Sequence, residues 1–275
     1  MISYPPATWR LLITPPADGA TNMAIDEAIL QALADGRSLP TLRFYQWNPP
    51  CLSLGYNQHY TEVDEDACAR LGYTWVRRPT GGRAILHTDE LTYSVTAPAD
   101  EPIVAGSLLE SYNHIAGALL AAVQDLGLPV EIKEDRVESN GTPNPVCFEV
   151  PSTYEITVNG KKLIGSAQAR KRHGVLQHGT LPLHGDLTRI TQVLVFADEA
   201  ARDEAAQKLL ARATTVESVT GQGMAWETAA QAFVGAFESQ LGLRLERGEL
   251  SGAEKARAEE LVQHKYGHPS WTERV

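Results

Sequence analysis

The stretch 153–168 reads Thr-Tyr-Glu-Ile-Thr-Val, then Asn-Gly, then Lys-Lys-Leu-Ile-Gly-Ser-Ala-Gln, and its pattern allows one self-pairing. Asn159-Gly160 tolerates the positive φ angles of a two-residue type I′ turn, so the flanking runs are predicted to form a hairpin in which Val158 faces Lys161 and Thr157 faces Lys162. Side chains alternate along a strand, which would place Lys162, Ile164, Ser166 and Gln168 on one face. A lysine sharing a face with an isoleucine is expected to be partly buried, whereas Lys161, beside the turn, reads as solvated. Residues 175–183 supply a third strand after the Arg170-Lys171-Arg172-His173-Gly174 turn.

The rest of the chain supplies partners for such a sheet. Residues 7–14 and 40–47 read as strands, and between them Asn22 is placed to cap a helix with Ile25, Ile29, Leu30 and Leu33 on one face and Gly36 at its stop. An apolar piece at 51–55 follows. Thr61 and Asp64 then resemble a capping box for a helix carrying Val63, Ala67 and Leu71 in a stripe, ended by Gly72. Strands at 73–78 and 91–97 flank a turn at Gly81-Gly82. The most regular helical pattern is 107–126, with Leu108, Tyr112, Ile115, Leu119, Val123 and Leu126 on one stripe. A polar loop at 134–146, with Asn140-Gly141 and two prolines, leads to Cys147. Beyond Asp186 the pattern becomes helical, near 186–196, 198–213, 224–241 and 251–265. With no linker-like run, the expectation is one α+β domain over 1–275, a mixed sheet flanked by helices, with 186–275 predominantly helical.

Two segments carry reagents for acyl chemistry. One is Arg77-Arg78-Pro79-Thr80-Gly81-Gly82-Arg83-Ala84-Ile85-Leu86-His87; the other is Cys147 followed by Gly160 to Gln168. A thiol can carry an acyl group as a thioester, a nearby ammonium can favour its thiolate, and glycine backbone can approach an acyl carbonyl closely. Cys147 lies where a polar loop enters a strand, a position from which a side chain reaches a cleft. Cys51, in an apolar strand, and Cys68, on a helix, read as buried apolar residues. A lone histidine such as His87 is more often structural than catalytic.

Composition narrows the partners. With 24 basic against 34 acidic residues the chain has a formal net charge of -10, which argues against general affinity for nucleic acid. The basic residues nevertheless gather, Arg77, Arg78 and Arg83 in one acid-free stretch, and Lys161, Lys162, Arg170, Lys171 and Arg172 in another. Such clusters suit a negatively charged partner, and solvated turns explain Arg170 to Arg172 equally well. Three irregularly spaced cysteines form no disulfide framework, and no leader pattern or span-length apolar run is found, so a cytoplasmic protein without membrane attachment is expected. His173, His178 and His184 lack metal-ligand spacing, and no phosphate-binding loop is present, so no metal or cofactor is predicted.

Asn22-Met-Ala-Ile-Asp-Glu27, the Arg-Arg-Pro-Thr-Gly-Gly-Arg segment, the Gly-Lys-Lys-Leu-Ile-Gly-Ser-Ala-Gln hairpin, and Lys265-Tyr266 with Trp271 together cover most of the chain. In these it resembles the lipoate-protein ligase, octanoyltransferase and biotin ligase superfamily. Cys147-Phe148 ahead of the hairpin is similar to the cysteine-dependent octanoyltransferases of the Gram-positive type. So is Gly81-Gly82-Arg83 with His87-Thr88-Asp89, where ATP-using ligases more often carry a third glycine and an aspartate directly after the histidine. The resemblance implies the class II synthetase-like catalytic fold of biotin and lipoate ligases. It also implies an octanoyl-acyl carrier protein donor and a lipoyl-domain acceptor such as the glycine-cleavage H protein. Cys147 and Lys162 would be catalytic. Arg77, Arg78, Gly81, Gly82, Arg83, His87, Gly165, Ser166 and Ala167 would bind substrate, with Arg77, Arg78 and Arg170 to Arg172 meeting the carrier's acidic surface. An ATP-dependent lipoate or octanoate ligase, an amidotransferase between lipoyl domains and a noncatalytic carrier-binding module are the alternatives.

Overall fold

The computed structural model describes residues 4–133, 155–171 and 174–275. Cys147, the loop expected at 134–146, Arg172 and His173 lie outside the described residues. In chain order the elements are β1 (Ala7–Ile13), α1 (Gly19–Ala34), β2 (Thr41–Tyr45), β3 (Cys51–Leu54), α2 (Glu65–Leu71), β4 (Thr74–Arg77), β5 (Ile85–His87), β6 (Glu90–Ala97), α3 (Leu108–Asp125), β7 (Val130–Lys133), β8 (Glu155–Val158), β9 (Lys161–Lys171) and β10 (Gly174–Pro182). A 3₁₀ segment at Leu187–Val193 leads to α4 (Glu199–Arg212), α5 (Val216–Thr220), α6 (Trp226–Leu241), β11 (Leu243–Arg247), α7 (Gly252–Leu261) and α8 (Pro269–Thr272).

Eight strands form one sheet in the order β11-β1-β2-β6-β10-β9-β8-β7, and β4-β3-β5 form a second, smaller one. The large sheet is mixed: β11, β1 and β2 run parallel, and each pairing from β2 onward is antiparallel. Helices α3 and α6 cover one face around Phe44, Tyr93, Phe233 and Phe237, with Phe44 meeting Phe233 edge-on at 6.1 Å between centroids. Helices α1 and α7 cover the other, packing Met23, Ile25, Ile29, Ala258 and Leu261 together.

The hairpin forms in the expected register, Val158 opposite Lys161 and Thr157 opposite Lys162, with Asn159 at φ 52° and Gly160 at φ 75°. The common face for Lys162 and Ile164 does not survive. Thr157 pairs with Lys162 but Ile156 pairs with Ile164, leaving Leu163 as an extra residue; such a bulge breaks the two-residue alternation, and Leu163 and Ile164 both enter the same core. Other starts and ends also differ. Asp18 caps α1 by accepting from Thr21 N at 2.8 Å, while Asn22 is buried inside the helix. Asp64 is the N-cap of α2, and Thr61 sits in a separate 3₁₀ turn, Tyr60–Glu62. The region read as helical beyond 186 also contains β11, whose five residues dock on β1 at the sheet edge.

One charged pair joins α1 to the sheet. Arg43 of β2 and Asp26 of α1 meet at 2.8 Å with neither side chain exposed. Asp26 also accepts from Ser94 Oγ at 2.8 Å and Tyr45 Oη at 3.2 Å, and Arg43 donates to Asn22 Oδ1 at 2.7 Å and Thr14 Oγ1 at 3.0 Å. Removing one member of such a pair strands the other in a low-dielectric interior. Arg43→Met is therefore expected to lower unfolding stability by about 3–5 kcal/mol in urea titration. Arg37→Met, which removes an exposed pair with Asp35, should leave the midpoint in place; equal effects at both sites would contradict the assignment.

Candidate active site

The segment after β4 is shaped by its two arginines, which point in different directions. Arg78 turns inward and grips its own loop: Nη2 donates to Gly81 O and Arg83 O at 2.7 Å each, and Nη1 donates to Ser53 O at 3.0 Å and Ser53 Oγ at 3.1 Å. Gly82 takes φ 90°, a conformation that favours glycine. A Cβ on Gly55 would run into the Gly82 carbonyl oxygen, so the two glycines let β3 and the loop touch backbone to backbone. Gly81 faces open space. Arg77 turns toward the C-terminal segment, donating from Nε to Thr272 O at 2.9 Å and from Nη1 to Gly55 O at 2.9 Å and Gln58 O at 2.5 Å. Both arginines are buried and hold backbone carbonyls, which places neither at a surface that a carrier protein could reach.

His87 belongs to a hydrogen-bonded chain. Its Nε2 lies 2.8 Å from Ser53 Oγ and its Nδ1 2.6 Å from Glu90 Oε1. Arg78 already donates to Ser53 Oγ, so the hydroxyl proton is directed to Nε2, and Nδ1 carries the hydrogen given to Glu90. Trp47 stacks on the imidazole at 3.9 Å and donates to Thr92 Oγ1 at 2.8 Å, and Thr92 in turn donates to Glu90 at 2.6 Å.

Between this chain and β9 lies a cleft whose walls are almost wholly apolar, built by Met23, Tyr45, Trp47 and Ile85 on one side and by Gly165, Ser166 and Ala167 on the other. Ser166 lines it while its hydroxyl pairs with Tyr93 Oη at 2.7 Å. Arg78, His87, Gly165, Ser166 and Ala167, all expected from the sequence to bind substrate, are thus brought to one cleft. Arg83 is half-buried and contributes a carbonyl to Arg78. Lys162 is buried at the start of β9, three residues before Gly165, and its carbonyl accepts from Thr214 N at 3.0 Å. Lys161 is the more outward of the two and donates to Leu210 O at 2.6 Å. Arg170 ties β9 to α3 through Val104 O at 2.8 Å and Ser111 Oγ at 2.8 Å, so it is an internal brace rather than a docking cation.

Burial pushes the Cys51 thiol up to about 12 and the Cys68 thiol up to about 11. Neither can serve as a thiolate near neutrality. Among the described residues no three His, Cys, Asp or Glu side chains converge as a metal site, and no helix is long and apolar enough to cross a membrane.

Residues 18–238 match the family model described as the lipoyl protein ligase A/B catalytic domain. The chain belongs to the lipoyl protein ligase A/B family. It is 44% identical to a protein of Moorella thermoacetica named octanoyltransferase LipM, over 98% of this chain and 99% of that one. It is 41% identical to the LipM of Symbiobacterium thermophilum over 97% and 98%. Among solved structures, the bi-partite lipoate protein ligase of the Thermoplasma acidophilum lipoylation system superposes with a TM-score of 0.81 at 25% identity, covering 97% of this chain and 96% of that one. A lipoate-protein ligase A bound with ATP gives 0.77 at 24%, covering 97% and 98%, a likeness of fold. The expected lipoate-ligase fold is thereby found.

Within this family member the sequence reading missed His178. It bonds Thr80 Oγ1 through Nε2 at 2.6 Å and brings Nδ1 within 3.9 Å of Asp26. Burial holds this imidazole below its ordinary value, Arg78 and His87 act in the same direction, and Asp26 opposes them. For Asp26, burial alone would raise the carboxyl, but Arg43 and His178 outweigh it and hold it below its usual range. The unfolded chain protonates His178 below about 6.5 and the folded chain only at lower pH. The stability that His178 contributes is therefore complete above about 6.5 and declines as the pH falls from there through the folded pKa, while that of Asp26 is lost only below about 4. The urea midpoint should fall between about pH 7 and 5, and His178→Gln should flatten that decline. An unchanged slope in the variant would assign the acid sensitivity elsewhere.

Proposed function

We propose that this chain is an octanoyltransferase of lipoate biosynthesis in which Cys147 takes the octanoyl group from octanoyl-acyl carrier protein and passes it to a lysine of a lipoyl domain such as the glycine-cleavage H protein. The observation that carries the reading is the apolar cleft along β9, which starts three residues beyond Lys162 and takes into its lining Arg78, the residue that grips the glycine loop. A saturated chain with no hydrogen-bonding groups is the ligand such walls suit. Near full-length likeness to proteins named octanoyltransferase supports the acyl group transferred. The lipoyl domain described with the Thermoplasma ligase supports the class of acceptor.

In the first step the Cys147 thiolate attacks the donor's carbonyl carbon; the bond to the carrier sulfur breaks, and the carrier leaves as a thiol after taking a proton from the Lys162 ammonium. In the second, the uncharged amine of the acceptor lysine attacks the octanoyl-Cys147 thioester. The C–N bond forms, the C–S bond breaks, and the amine's extra proton passes to the uncharged Lys162 amine, restoring the thiolate and ammonium pair. Thioester exchange is nearly balanced and amide formation runs downhill, so no nucleotide is consumed. A free thiol with a pKa of about 8.5 is only a few per cent ionised at neutral pH. An ammonium interaction of about 1.4 kcal/mol at Lys162 gives close to a tenfold gain in thiolate. Gly81, Gly82 and Gly165 let backbone crowd the acyl carbonyl oxygen, and Arg78 keeps the loop in that shape before substrate arrives.

Intact-protein mass after mixing with octanoyl-acyl carrier protein, without ATP, should show one octanoyl adduct that hydroxylamine removes. Cys147→Ala should lack it, and Lys162→Met should form it at least about tenfold more slowly. An adduct retained by Cys147→Ala would overturn the mechanism. Transfer that required ATP and released pyrophosphate would make the protein a ligase, and use of octanoylated H protein as donor would make it an amidotransferase.

A further inference from the structure

At the opposite end of β9 from Lys162, about 30 Å along the strand, Lys171 lines a second cavity, of about 330 Å³. Among the described residues it shares no lining with the acyl cleft. Leu30, Ala169 and Leu176 are its apolar lining, and Tyr56 and Trp271 its aromatic lining.

Three cations converge on the two rings. Lys171 Nζ lies 4.8 Å from the centre of the Tyr56 ring, and Arg274 Cζ lies 4.0 Å from the same centre. Arg274 also stands 5.3 Å from the Trp271 ring, over which Lys265 Nζ lies at 4.1 Å. One carboxylate answers them. Glu27 accepts from Lys265 Nζ at 2.6 Å and from the Tyr266 hydroxyl on Oε2, and from Gln31 Nε2 at 3.0 Å on Oε1. Among the described residues Lys171 and Arg274 form no ion pair. A ring face holds a cation in place without cancelling its charge, so two like charges remain side by side, an arrangement that an anion between them would relieve. Their field is felt at Tyr56, whose phenol is held below its ordinary value, by its hydrogen bond to Arg274 above all.

The cluster is built into the fold. Lys265 and Tyr266 reach Glu27 from a π-helical turn, Val262–Tyr266, the kind of helix irregularity found frequently at functional sites. Arg274 rides on a segment pinned at three points. Arg77 Nε donates to Thr272 O at 2.9 Å, Trp271 Nε1 donates to Arg77 O at 2.9 Å, and Tyr60 N donates to Val275 O at 3.0 Å.

We propose that this cavity is a second ligand site, one that takes a small phosphate monoester with an apolar or aromatic body. The two charges that Glu27 leaves unneutralised, on Lys171 and Arg274, match a phosphate dianion, and guanidinium and ammonium groups are its usual donors. The apolar and aromatic lining takes the ester's body, and the volume is that of a small-molecule pocket. A carboxylate of the same shape would answer only one of the two charges.

The test is calorimetric titration of the full chain with phenyl phosphate at low ionic strength and about pH 8, where the phosphate is a dianion. One saturable site is expected. Arg274→Gln should weaken binding at least about tenfold, the scale of a hydrogen bond to a charged group, and Arg274→Lys should recover most of that loss. Arg244→Gln removes an arginine whose side chain is 77% exposed at the sheet edge and should leave binding unchanged. Ala169→Phe, which fills the cavity, should abolish it, and benzoate should bind at least about tenfold more weakly than phenyl phosphate. Arg274 and Arg244 are both exposed, so neither variant threatens the fold. Absence of saturable binding, equal weakening in the two glutamine variants, or benzoate binding as tightly as phenyl phosphate would overturn the proposal. Binding is read without any transfer reaction, so the outcome is independent of the acyl chemistry.

Discussion

A carboxylate that no water reaches holds this molecule's working parts in register. Asp26 sits on α1, a helix whose other inward residues are apolar or glycine save Asn22, and burying it unpaired would be prohibitive. Arg43, Ser94 and Tyr45 come from two adjacent strands of the large sheet to satisfy it. The pairing fixes where α1 lies over β2 and β6. Because His178 of β10 also faces Asp26 and bonds Thr80, it fixes how far the helix stands from the glycine-bearing segment. The cleft is the gap left between elements whose spacing the charge has already decided.

Arg78 does for the loop what Asp26 does for the helix. A run containing two adjacent glycines has many conformations available when unfolded, and a loop beside a binding cleft gains from having one. Five donations from a single guanidinium, to Gly81, Arg83 and Ser53, leave little freedom. The same guanidinium orients the Ser53 hydroxyl toward His87, which ties the loop to Glu90 and Trp47 on the far wall. A preorganised dipole arrangement of this kind costs no reorganisation when charge develops on an oxygen.

The hairpin was legible because Asn-Gly is a local turn signal, and the helix over 107–126 was legible in its apolar stripe. What the sequence did not disclose depends on partners far away in the chain. Asn22 has the chemistry of a cap, yet Arg43 lies within reach only in the folded state, and Asp18 takes the capping position. Asn22 and Asp26 do share one face, four residues apart, and two polar residues at that spacing on the buried side of a helix were the available hint of an internal network. Arg77, Arg78 and Arg170 were grouped as cations for a partner because charge is visible in sequence and burial is not. Backbone carbonyls 22, 25 and 66 residues away converge on them. β11 was hidden for a similar reason: five residues carry little periodicity, and their strand character comes from the edge of β1.

On the proposed reading, in which the cleft holds an acyl group passed between two protein partners, there is a problem of order, because the donor must leave before the acceptor arrives. The acyl group is what remains between those events. Seven carbons beyond the carbonyl, at about 0.8 kcal/mol per buried CH₂, amount to roughly 5–6 kcal/mol of transfer free energy. That is enough to keep the tail seated while the carrier dissociates. Binding that is the same in ground and transition states does not speed chemistry by itself. On that proposed reading its use is positional: a seated tail places the carbonyl at a fixed depth whichever partner is docked. The charge pair at Asp26 and the grip of Arg78 then serve one end, fixing the spacing of the cleft's walls on which such positioning depends.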